Sequence, residues 1–195
     1  ANMNLEIRTP LNAIVGFSQV LVDEEDRETR QEFADIIQNN NELLQRLIAD
    51  VLDLSKIESN SMPLIYKDQD NPTLMKEIYS MILLRMHEGV ELELYDCEEL
   101  VMETDRNRLT QILTNLLTNA IKHTQEGSIR FGYKRSALSV EFFVQDSGEG
   151  IPEYKIDTIF SRFVQLDNWS KGVGLGLAIC QGLFEQMGAN IRVTS

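Results

Sequence analysis

The chain has 195 residues, of which 43% are hydrophobic and 25% charged, and its formal net charge is −13. A surface this acidic repels phosphates and anionic lipid headgroups, which argues against nucleic-acid binding and against binding to an anionic membrane. The apolar content is enough for two modest hydrophobic cores, and no run of the sequence approaches the roughly 18 apolar residues of a membrane span.

Two heptad patterns occupy the N-terminal third of the chain, separated by an acidic run from Asp23 to Asp26. Their members are Ile7, Leu11, Ile14, Ser18 and Leu21, then Phe33, Ile37, Asn40, Leu44, Leu47, Val51 and Leu54. The patterns predict two helices joined as a hairpin. Ile36, Leu43 and Ile48 widen the second apolar stripe beyond what one helix covers, which predicts that two hairpins pair into a four-helix bundle. The alternative is a hairpin that packs only on the second domain of its own chain.

The architecture is predicted to change near Ser59 to Met62, where the second heptad pattern ends. This divides the chain into residues 1–61 and 62–195. Short apolar runs and helical spacing in the second part predict an α/β sandwich, so the fold class is α+β. The predicted elements are Leu64–Tyr66, a helix from Leu74, alternating Val90, Leu92 and Leu94, a hairpin of Ile129–Tyr133 with Leu138–Val144, and a strand at Ala189–Thr194.

A further helix is predicted to begin at the N-cap residue Asp105 and to bury one apolar face. The polar residues Asn115, Asn119, Lys122 and His123 recur at helical spacing, so they share a neighbouring face. Amide oxygens are hard neutral ligands that suit Mg²⁺, and an ammonium group can neutralise phosphate charge. Taken alone, this stripe is more simply a solvated helix face. The buried face contains Leu109, Ile112, Leu113, Leu116, Leu117, Ala120 and Ile121.

Two glycine motifs follow that helix. Asp146 ends an alternating run that predicts a strand, so its carboxylate should face a cleft and can accept a hydrogen bond from an exocyclic amine. Gly148 and Gly150 allow positive φ and a close approach of a flat base. The second motif, Gly172–Gly176, ends where an apolar helix begins, and the free N–H groups of such a helix end bind phosphates. No GxxxxGK[ST] sequence occurs, which argues against a P-loop ATPase.

In this order and spacing, four segments resemble the boxes of the ATP-binding domain of sensor histidine kinases, a member of the GHKL (Bergerat) family. Asn115–His123 resembles the N box, Asp146–Gly150 the G1 box, Ile159–Phe163 the F box and Gly172–Gly176 the G2 box. The resemblance covers nearly the whole chain. It implies that the second part is a catalytic and ATP-binding domain and that the first is a dimerisation and histidine-phosphotransfer hairpin.

The resemblance also implies roles for individual residues. Asn119, with Asn115, would hold Mg²⁺, and Lys122 would contact the phosphates of ATP. His123 would pack near the nucleotide, and Asp146 would bind the adenine amine. The other residues of the implied nucleotide site are Gly148, Gly150, Phe160, Phe163, Gly172, Gly174, Gly176 and Leu177.

Two further features of the C-terminal part follow from the resemblance. Val164–Lys171 would form the ATP lid, in which Trp169 either folds over the nucleotide or packs locally. The family normally adds another strand after the one at Ala189–Thr194. The C-terminal strand is therefore expected to be truncated and to leave an open edge.

The segment Leu5–Leu11 resembles the family H box, His-Glu-x-x-Thr-Pro-Leu, with leucine in place of the histidine that carries the phosphoryl group. Leucine has no nitrogen lone pair, so Leu5 cannot attack the γ-phosphorus and autophosphorylation at this position is chemically excluded. Glu6, the implied base, and Thr9, associated in the family with dephosphorylation of the partner regulator, are both present. The two histidines of the chain, His87 and His123, lie in other segments.

By the resemblance, the cofactors are ATP and Mg²⁺, and the partners are a second copy of the chain and the receiver domain of a response regulator. The chain would be the cytoplasmic portion of a bacterial sensor, anchored in a membrane through segments outside this sequence. Two functions stay open: a kinase core that lacks its acceptor, and a non-catalytic ATP-binding scaffold. Leu5 is the residue that distinguishes these two functions, and it is either an engineered or a natural replacement. Cys97 and Cys180 lack CxxC spacing and are predicted to be buried free thiols in a reducing cytoplasm.

Overall fold

The computed structural model describes residues 3–95, 98–164 and 174–195. Within these ranges, two long helices precede five strands and four further helices. A helical hairpin followed by a mixed α/β unit is the α+β class that the sequence predicts. Gly172, Trp169 and most of the implied lid lie outside the described residues, as does Cys97.

The predicted hairpin is confirmed as α1 (Met3–Asp23) and α2 (Arg27–Glu58). The acidic run ends the first helix and caps the second. The Asp26 carboxylate accepts hydrogen bonds from the amide and the hydroxyl of Thr29, each at 2.8 Å. These bonds satisfy one of the free donors at the start of α2 and hold the pKa of Asp26 below its usual value.

The hairpin leaves apolar side chains on its outer surface. Inside it, the rings of Phe17 and Phe33 lie 5.3 Å apart, and Leu47 is buried. Other large apolar residues of both helices are exposed in the single chain, namely Leu11, Val15, Val20, Val22, Ile48 and Leu52. Six exposed apolar side chains on one helical hairpin indicate a surface that packs against another protein surface.

The second part contains a two-stranded and a three-stranded sheet. β1 (Lys67–Asp70) pairs antiparallel with β3 (Val101–Thr104). β4 (Gly127–Arg135) is the central strand of the larger sheet. It runs parallel to β2 (Val90–Leu94) and antiparallel to β5 (Val140–Asp146).

Two helices pack on the larger sheet, α3 (Asn71–Leu83) and α4 (Arg106–His123). Asp105 caps α4 as predicted, because its Oδ1 accepts the amides of the second and third helical residues at 3.0 and 3.1 Å. Its Oδ2 accepts the amide of Ile65 at 2.8 Å, which ties α4 to the segment before β1. The main core lies between these helices and the sheet and includes Leu74, Ile78, Ile82, Leu109, Leu113, Leu117, Ala120, Ile129, Phe131 and Tyr133.

The hairpin of β4 and β5 is confirmed, but its second strand begins later than predicted. The amide of Ser136 donates to the carbonyl of Ser139 at 2.8 Å, and the amide of Ser139 donates to the hydroxyl of Ser136 at 3.1 Å. This closed turn projects Leu138 into solvent, where the residue is 99% exposed. The strand therefore starts at Val140 rather than at Leu138.

One other strand prediction is wrong, because Ala189–Thr194 is irregular. The apolar run Leu64–Tyr66 lies before β1 and is irregular too. The C-terminal segment is held beside β5 by side chains, since Arg192 forms an ion pair with Glu141 and the hydroxyl of Ser195 accepts an amide from residue 151 at 2.6 Å. These bonds replace the backbone ladder that a strand requires.

Two more helices, α5 (Glu153–Ile156) and α6 (Gly176–Gln186), complete the second part. One face of α6 packs between α4 and the end of α2 and forms a second apolar cluster, here called the interdomain cluster. Its buried members are Met62, Ile112, Leu175, Ile179, Cys180 and Leu183, with Val51, Leu54, Ile57, Leu116, Phe163, Phe184 and Met187 packed around them.

Gly182 of α6 lies directly against Ile57 of α2. A Cβ atom at residue 182 would lie 2.5 Å from Cγ2 of Ile57, closer than real Cβ contacts allow. Next to this contact, the side-chain amide nitrogen Nε2 of Gln186 donates to the carbonyl oxygen of Ile57 at 2.9 Å. Glycine at residue 182 thus lets α6 lie directly on α2.

Polar contacts flank the interdomain cluster. The Asp53 carboxylate accepts a hydrogen bond from the Gln111 amide at 2.8 Å and lies 3.5 Å from the Arg108 guanidinium. Arg162 forms an ion pair with Glu58, the last residue of α2. The hairpin therefore does pack on its own second part, although its exposed apolar residues lie elsewhere. The division at residues 61 and 62 stays a prediction.

Asp50 lies half-buried on α2, one helical turn before Leu54 of the interdomain cluster. Burial is the main cause that raises the pKa of its carboxyl to about 6, while the charge of Arg46 opposes the rise and the nearby Asp53 carboxylate adds to it. An ionised Asp50 therefore destabilises the folded arrangement, because it is removed from water without a complete set of partners.

We predict that Asp50→Asn raises the free energy of unfolding at about pH 7.5 by up to about 2 kcal/mol, because the amide carries no charge to desolvate. The folded-state pKa of Asp50 lies above its ordinary value, so the stabilisation from the neutral acid is present at low pH. It is lost as the pH rises from about 4 through about 6.

Urea unfolding between about pH 5 and pH 7.5 measures this effect, and Asp50→Asn should flatten the dependence on pH. Glu32→Gln removes one charge from an exposed position of α2 and is the matched control. If the variant at residue 50 kept the pH dependence of the parent, the titration would not belong to Asp50.

Candidate functional site

The polar stripe of α4 occupies the face left free by packing. Asn115, Asn119 and His123 are half-buried and Lys122 is exposed. The side-chain nitrogen Nδ2 of Asn115 lies 3.5 Å from the carbonyl oxygen of Gly176, the first residue of α6. The predicted stripe therefore exists, and one of its amides meets the glycine motif at the start of α6.

The G1 turn folds back onto the end of α4. Asp146 is the last residue of β5 and is exposed, and its Oδ1 accepts the Gly148 amide at 2.9 Å. A Cβ at residue 148 would overlap the carbonyl oxygen of His123, so glycine is required there by close backbone contact. Only Gly150 of the two glycines has positive φ, at 73°.

An ionisable pair joins the same two elements. Nδ1 of His123 lies 2.9 Å from Oε1 of Glu149, and the Glu149 amide donates to the His123 carbonyl at 3.4 Å. His123 is thus held against the G1 turn by its side chain and by its backbone. The structure brings the N box and the G1 box together at this point.

The G2 motif meets the F box in a second backbone contact. The amide of Phe163 donates to the carbonyl of Gly174 at 2.9 Å, and a Cβ on Gly174 would lie 2.7 Å from the carbonyl oxygen of Val164. Gly174 has φ of 70°, which only glycine adopts without strain. Gly172 lies outside the described residues.

The start of α6 has no side-chain cap among the residues that the structure describes. Its N-cap residue, Leu175, makes no capping bond to the first amides of the helix. Gly176 and Leu177, which follow, are half-buried. This is the local arrangement that binds phosphate at a helix N-terminus.

The two phenylalanines of the F box have different surroundings. Phe160 is half-buried in the turns after α5. Phe163 has φ of 59°, unusual for a bulky residue, and packs on the interdomain cluster. The structure therefore places Phe163 against this cluster, a contact that the resemblance to the family does not imply.

A cleft of about 360 Å³ opens at the C-terminal end of α4. Its lining residues are Lys122, His123, Gln125, Glu126, Ser147, Gly148 and Glu149. Asn115, Asn119 and Asp146 do not line it, so this cleft covers only one side of the site expected from the sequence.

The H-box residues lie in the first two turns of α1. Leu5 is 60% exposed, Glu6 is half-buried, and the hydroxyl of Thr9 donates to the Leu5 carbonyl at 3.1 Å. The interdomain cluster is built from α2 rather than from α1, so the structure does not bring these three residues to the nucleotide-site residues.

The donor set on α4 suits a hard cation with few protein ligands. No group of three or more His, Cys, Asp or Glu side chains is placed to hold a metal in the described ranges. The amide oxygens of Asn115 and Asn119 are the kind of ligand that Mg²⁺ takes, because this ion keeps several waters and phosphate oxygens. These two residues therefore fit Mg²⁺ bound with a nucleotide better than a transition metal.

Sequence reasoning missed the contacts that surround this site. Asp53 lies beside Leu54 of the predicted heptad pattern and accepts a hydrogen bond from Gln111 of α4, a contact that no pattern in the sequence indicates. The thiol of Cys180 donates to the carbonyl oxygen of Ile112 at 3.8 Å, and no pattern in the sequence indicates that pair. Such contacts join residues that are far apart in the chain.

Two family models match the chain. Residues 1–60 match the His Kinase A (phospho-acceptor) domain. Residues 104–195 match the histidine kinase-, DNA gyrase B- and HSP90-like ATPase. Among the helices that the structure describes, none has the length and apolar character needed to cross a bilayer.

Similar proteins agree with these matches. The autoinducer 2 sensor kinase/phosphatase LuxQ of Vibrio vulnificus (strain YJ016) is 36% identical over 215 residues, covering 100% of this chain and 24% of LuxQ. The chain thus spans about a quarter of that relative's length. ShkA, solved full-length in complex with AMPPNP, has a TM-score of 0.72 and 29% identity over 96% of this chain and 40% of its own.

The histidine kinase ThkA is similar in two solved structures. In complex with the response regulator protein TrrA, it has a TM-score of 0.73 and 30% identity, over 97% of this chain and 54% of its own. Its isolated catalytic domain has a TM-score of 0.56 and 31% identity, over 62% of this chain and 80% of that domain. The chain therefore belongs to the histidine kinases, with an N-terminal phospho-acceptor-type hairpin and a C-terminal ATPase domain.

Proposed function

We propose that this chain is the core of a two-component histidine kinase that binds Mg-ATP on the polar face of α4 but lacks its own phosphate acceptor. The observation that carries this proposal is the set of backbone and side-chain contacts between the boxes. The G1 turn closes on His123, and Asn115 meets Gly176 at the start of α6. The AMPPNP complex of ShkA supports the choice of nucleotide.

In the proposed site, Asp146 accepts a hydrogen bond from the adenine amine through the carboxylate oxygen that the Gly148 amide does not use. The first amides of α6 and the ammonium of Lys122 bind phosphate oxygens. Asn115 and Asn119 hold Mg²⁺, which neutralises phosphate charge when it is bound. Phosphoryl transfer then depends mainly on the positioning of the reacting groups and on electrostatic stabilisation of the transition state.

The missing part is the nucleophile. In a competent H box the histidine nitrogen attacks the γ-phosphorus, ADP leaves, and a carboxylate such as Glu6 takes the imidazole proton. Leu5 has no atom that can form that bond. The chain is therefore proposed to retain nucleotide binding and to be inactive in autophosphorylation.

A second candidate is a dimeric ATP-binding scaffold that binds a receiver domain without transferring phosphate. The observation that favours it is Leu5, an apolar residue that is exposed where the acceptor would stand. ThkA was solved in complex with a response regulator, and LuxQ is named a kinase/phosphatase. Thr9 occupies the position that is associated in the family with dephosphorylation of the regulator. For the whole protein, this second candidate therefore includes a receiver-domain partner and a phosphatase role.

We also propose that the hairpin dimerises through its exposed apolar residues. Val15→Glu is expected to shift the protein towards monomer, because a carboxylate at a covered apolar face must be desolvated. Light scattering at about 100 μM measures the change. Val101→Glu, at an exposed position of β3, is the matched control. A monomeric parent at this concentration would contradict the dimer.

Changes at Asp146 test nucleotide recognition. Asp146→Asn keeps an oxygen for the Gly148 amide but presents an NH₂ group to the adenine amine. Asp146→Ala removes both acceptors. Each should weaken ATP binding by about 1–3 kcal/mol, or about fivefold to more than a hundredfold. Calorimetry with ATP and GTP, with Asp68→Asn as the control, measures this. Equal affinity for the two nucleotides in the parent would rule out the adenine contact.

Leu5→His tests the missing acceptor. If the ATP-binding part is competent, this change should restore labelling of residue 5 from γ-labelled ATP, and Leu5→Gln should not. In a mixed dimer, the parent should label a partner chain that has histidine at residue 5 but lacks Asn119, provided that transfer occurs between subunits. If Leu5→His bound Mg-ATP and stayed unlabelled in both formats, the scaffold would be the better account.

A further inference from the structure

The G1 turn is tied to the first residues of β4 by a serine side chain. The amide of Ser147 donates to the carbonyl oxygen of Ser128 at 3.1 Å. In return, the amide of Ser128 donates to the hydroxyl oxygen of Ser147 at 2.9 Å. Because a regular antiparallel pair exchanges two backbone bonds, this hydroxyl takes the role that the Ser147 carbonyl would otherwise have. The ladder thus ends on a side chain, one residue after its last regular pair, Ile129 with Asp146.

Gly127 leaves the space that this hydroxyl occupies. A Cβ atom at residue 127 would lie 2.1 Å from Oγ of Ser147 and 3.3 Å from its Cβ. A side chain there would therefore displace the hydroxyl from the Ser128 amide. The amide of Gly127 also donates to the carbonyl oxygen of Gly89 at 3.0 Å, which ties the residue before β2 to the same strand end. Gly127, Ser128 and Ser147 therefore act together, and we call them the G1 anchor.

The G1 anchor lies beside the proposed adenine contact. Ser147 follows Asp146 directly, and the next residue, Gly148, donates its amide to Oδ1 of Asp146 at 2.9 Å. Gly148 packs on the backbone of His123, so the turn is held on one side by that contact and on the other by Ser147. Asp146 itself is exposed. The direction of its carboxylate therefore depends on how the turn is held.

We propose that Ser147 is a positioning residue for nucleotide recognition, whose hydroxyl holds the G1 turn on the Ser128 amide so that the Asp146 carboxylate receives the adenine amine. The proposal rests on the Mg-ATP function proposed above. A hydrogen bond weakens steeply when its donor and acceptor are misaligned, so a recognition group works best when its neighbours fix its direction. Ser147 acts through Asp146 and makes no contact with the base itself.

Two other roles for Ser147 predict different measurements. If Ser147 only ends the ladder of β4 and β5, its loss lowers stability and leaves the preference for adenine unchanged. If its hydroxyl contacts the nucleotide away from the exocyclic amine, its loss weakens the binding of nucleotides with and without that amine equally. A positioning role weakens the binding only of nucleotides that use Asp146.

The experiment is calorimetric titration of the whole chain, with Mg²⁺ present, using ATP and purine riboside triphosphate, which lacks the exocyclic amine. Ser147→Ala should weaken ATP binding by about twofold to tenfold, the effect of one lost hydrogen bond. The affinity for purine riboside triphosphate should stay close to that of the parent. Ser147→Thr, which keeps the hydroxyl, should retain the parent's affinity for ATP.

Ser136→Ala is the matched control. The hydroxyl of Ser136 accepts the amide of Ser139 at 3.1 Å in the turn at the opposite end of the same hairpin. This variant therefore loses the same kind of bond, far from the G1 turn. Both Ser136→Ala and Ser147→Ala should lower the free energy of unfolding in urea, and only Ser147→Ala should change the affinity for ATP.

A second measurement needs no nucleotide. Backbone amide hydrogen exchange, followed by NMR, reports the bond from Ser128 to Ser147. The Ser128 amide should exchange faster in Ser147→Ala than in the parent, in Ser147→Thr and in Ser136→Ala. If Ser147→Ala fails to fold, Ser147→Thr against the isosteric Ser147→Val gives the same comparison in both experiments.

The outcomes distinguish this inference from the proposed function. An unchanged affinity for ATP in Ser147→Ala, or an equal loss for both nucleotides, would overturn the positioning role while leaving nucleotide binding intact. Unchanged exchange of the Ser128 amide in that variant would also overturn it. A parent that binds neither nucleotide would instead overturn the proposed function, and a parent that binds both equally would overturn the adenine contact of Asp146.

Discussion

The candidate site depends on the fact that α4 is packed from two sides. Leu109, Leu113 and Leu117 enter the main core against the sheet, while Ile112 enters the interdomain cluster with α6 and α2. Two buried faces leave a helix of this length only one narrow strip for polar side chains. The amides and the imidazole of α4 occupy that strip, and the glycine turns close on its two sides. The position of the site thus follows from the packing of one helix.

The parts that the sequence predicts are those set by local rules. The N-cap at Asp105 and the acidic turn before α2 follow from capping preferences, and the buried face of α4 follows from periodicity. Asp146 stands at a strand end because alternation stops there. Leu138 was misassigned because two serines close a turn that hydropathy does not register, and Ala189–Thr194 lacks a ladder because alternation does not guarantee a pairing partner.

The long-range contacts of the site lie beyond such rules. Asp53 with Gln111, and Ile112 with Cys180, are pairs more than 55 positions apart that meet only because α2, α4 and α6 pack together. Packing of that kind is a property of the whole fold. Leu5 differs from these pairs. Its identity, which can be read from the sequence, already decides that the H box has no phosphate acceptor, and its position in the structure adds little to that conclusion. Family membership and catalytic competence are therefore separate conclusions for this chain.

The contact between Gly182 and Ile57 has a consequence for how such chains diverge. Because a Cβ at residue 182 would lie 2.5 Å from Ile57, any side chain there requires a smaller one at residue 57, or the helices separate. The side-chain volumes at these two positions, one in each part of the chain, should therefore covary, with a larger residue at 182 accompanied by a smaller one at 57. Homologous chains in which residue 182 is larger and residue 57 has not shrunk are expected to hold the hairpin and the ATPase domain at a different angle.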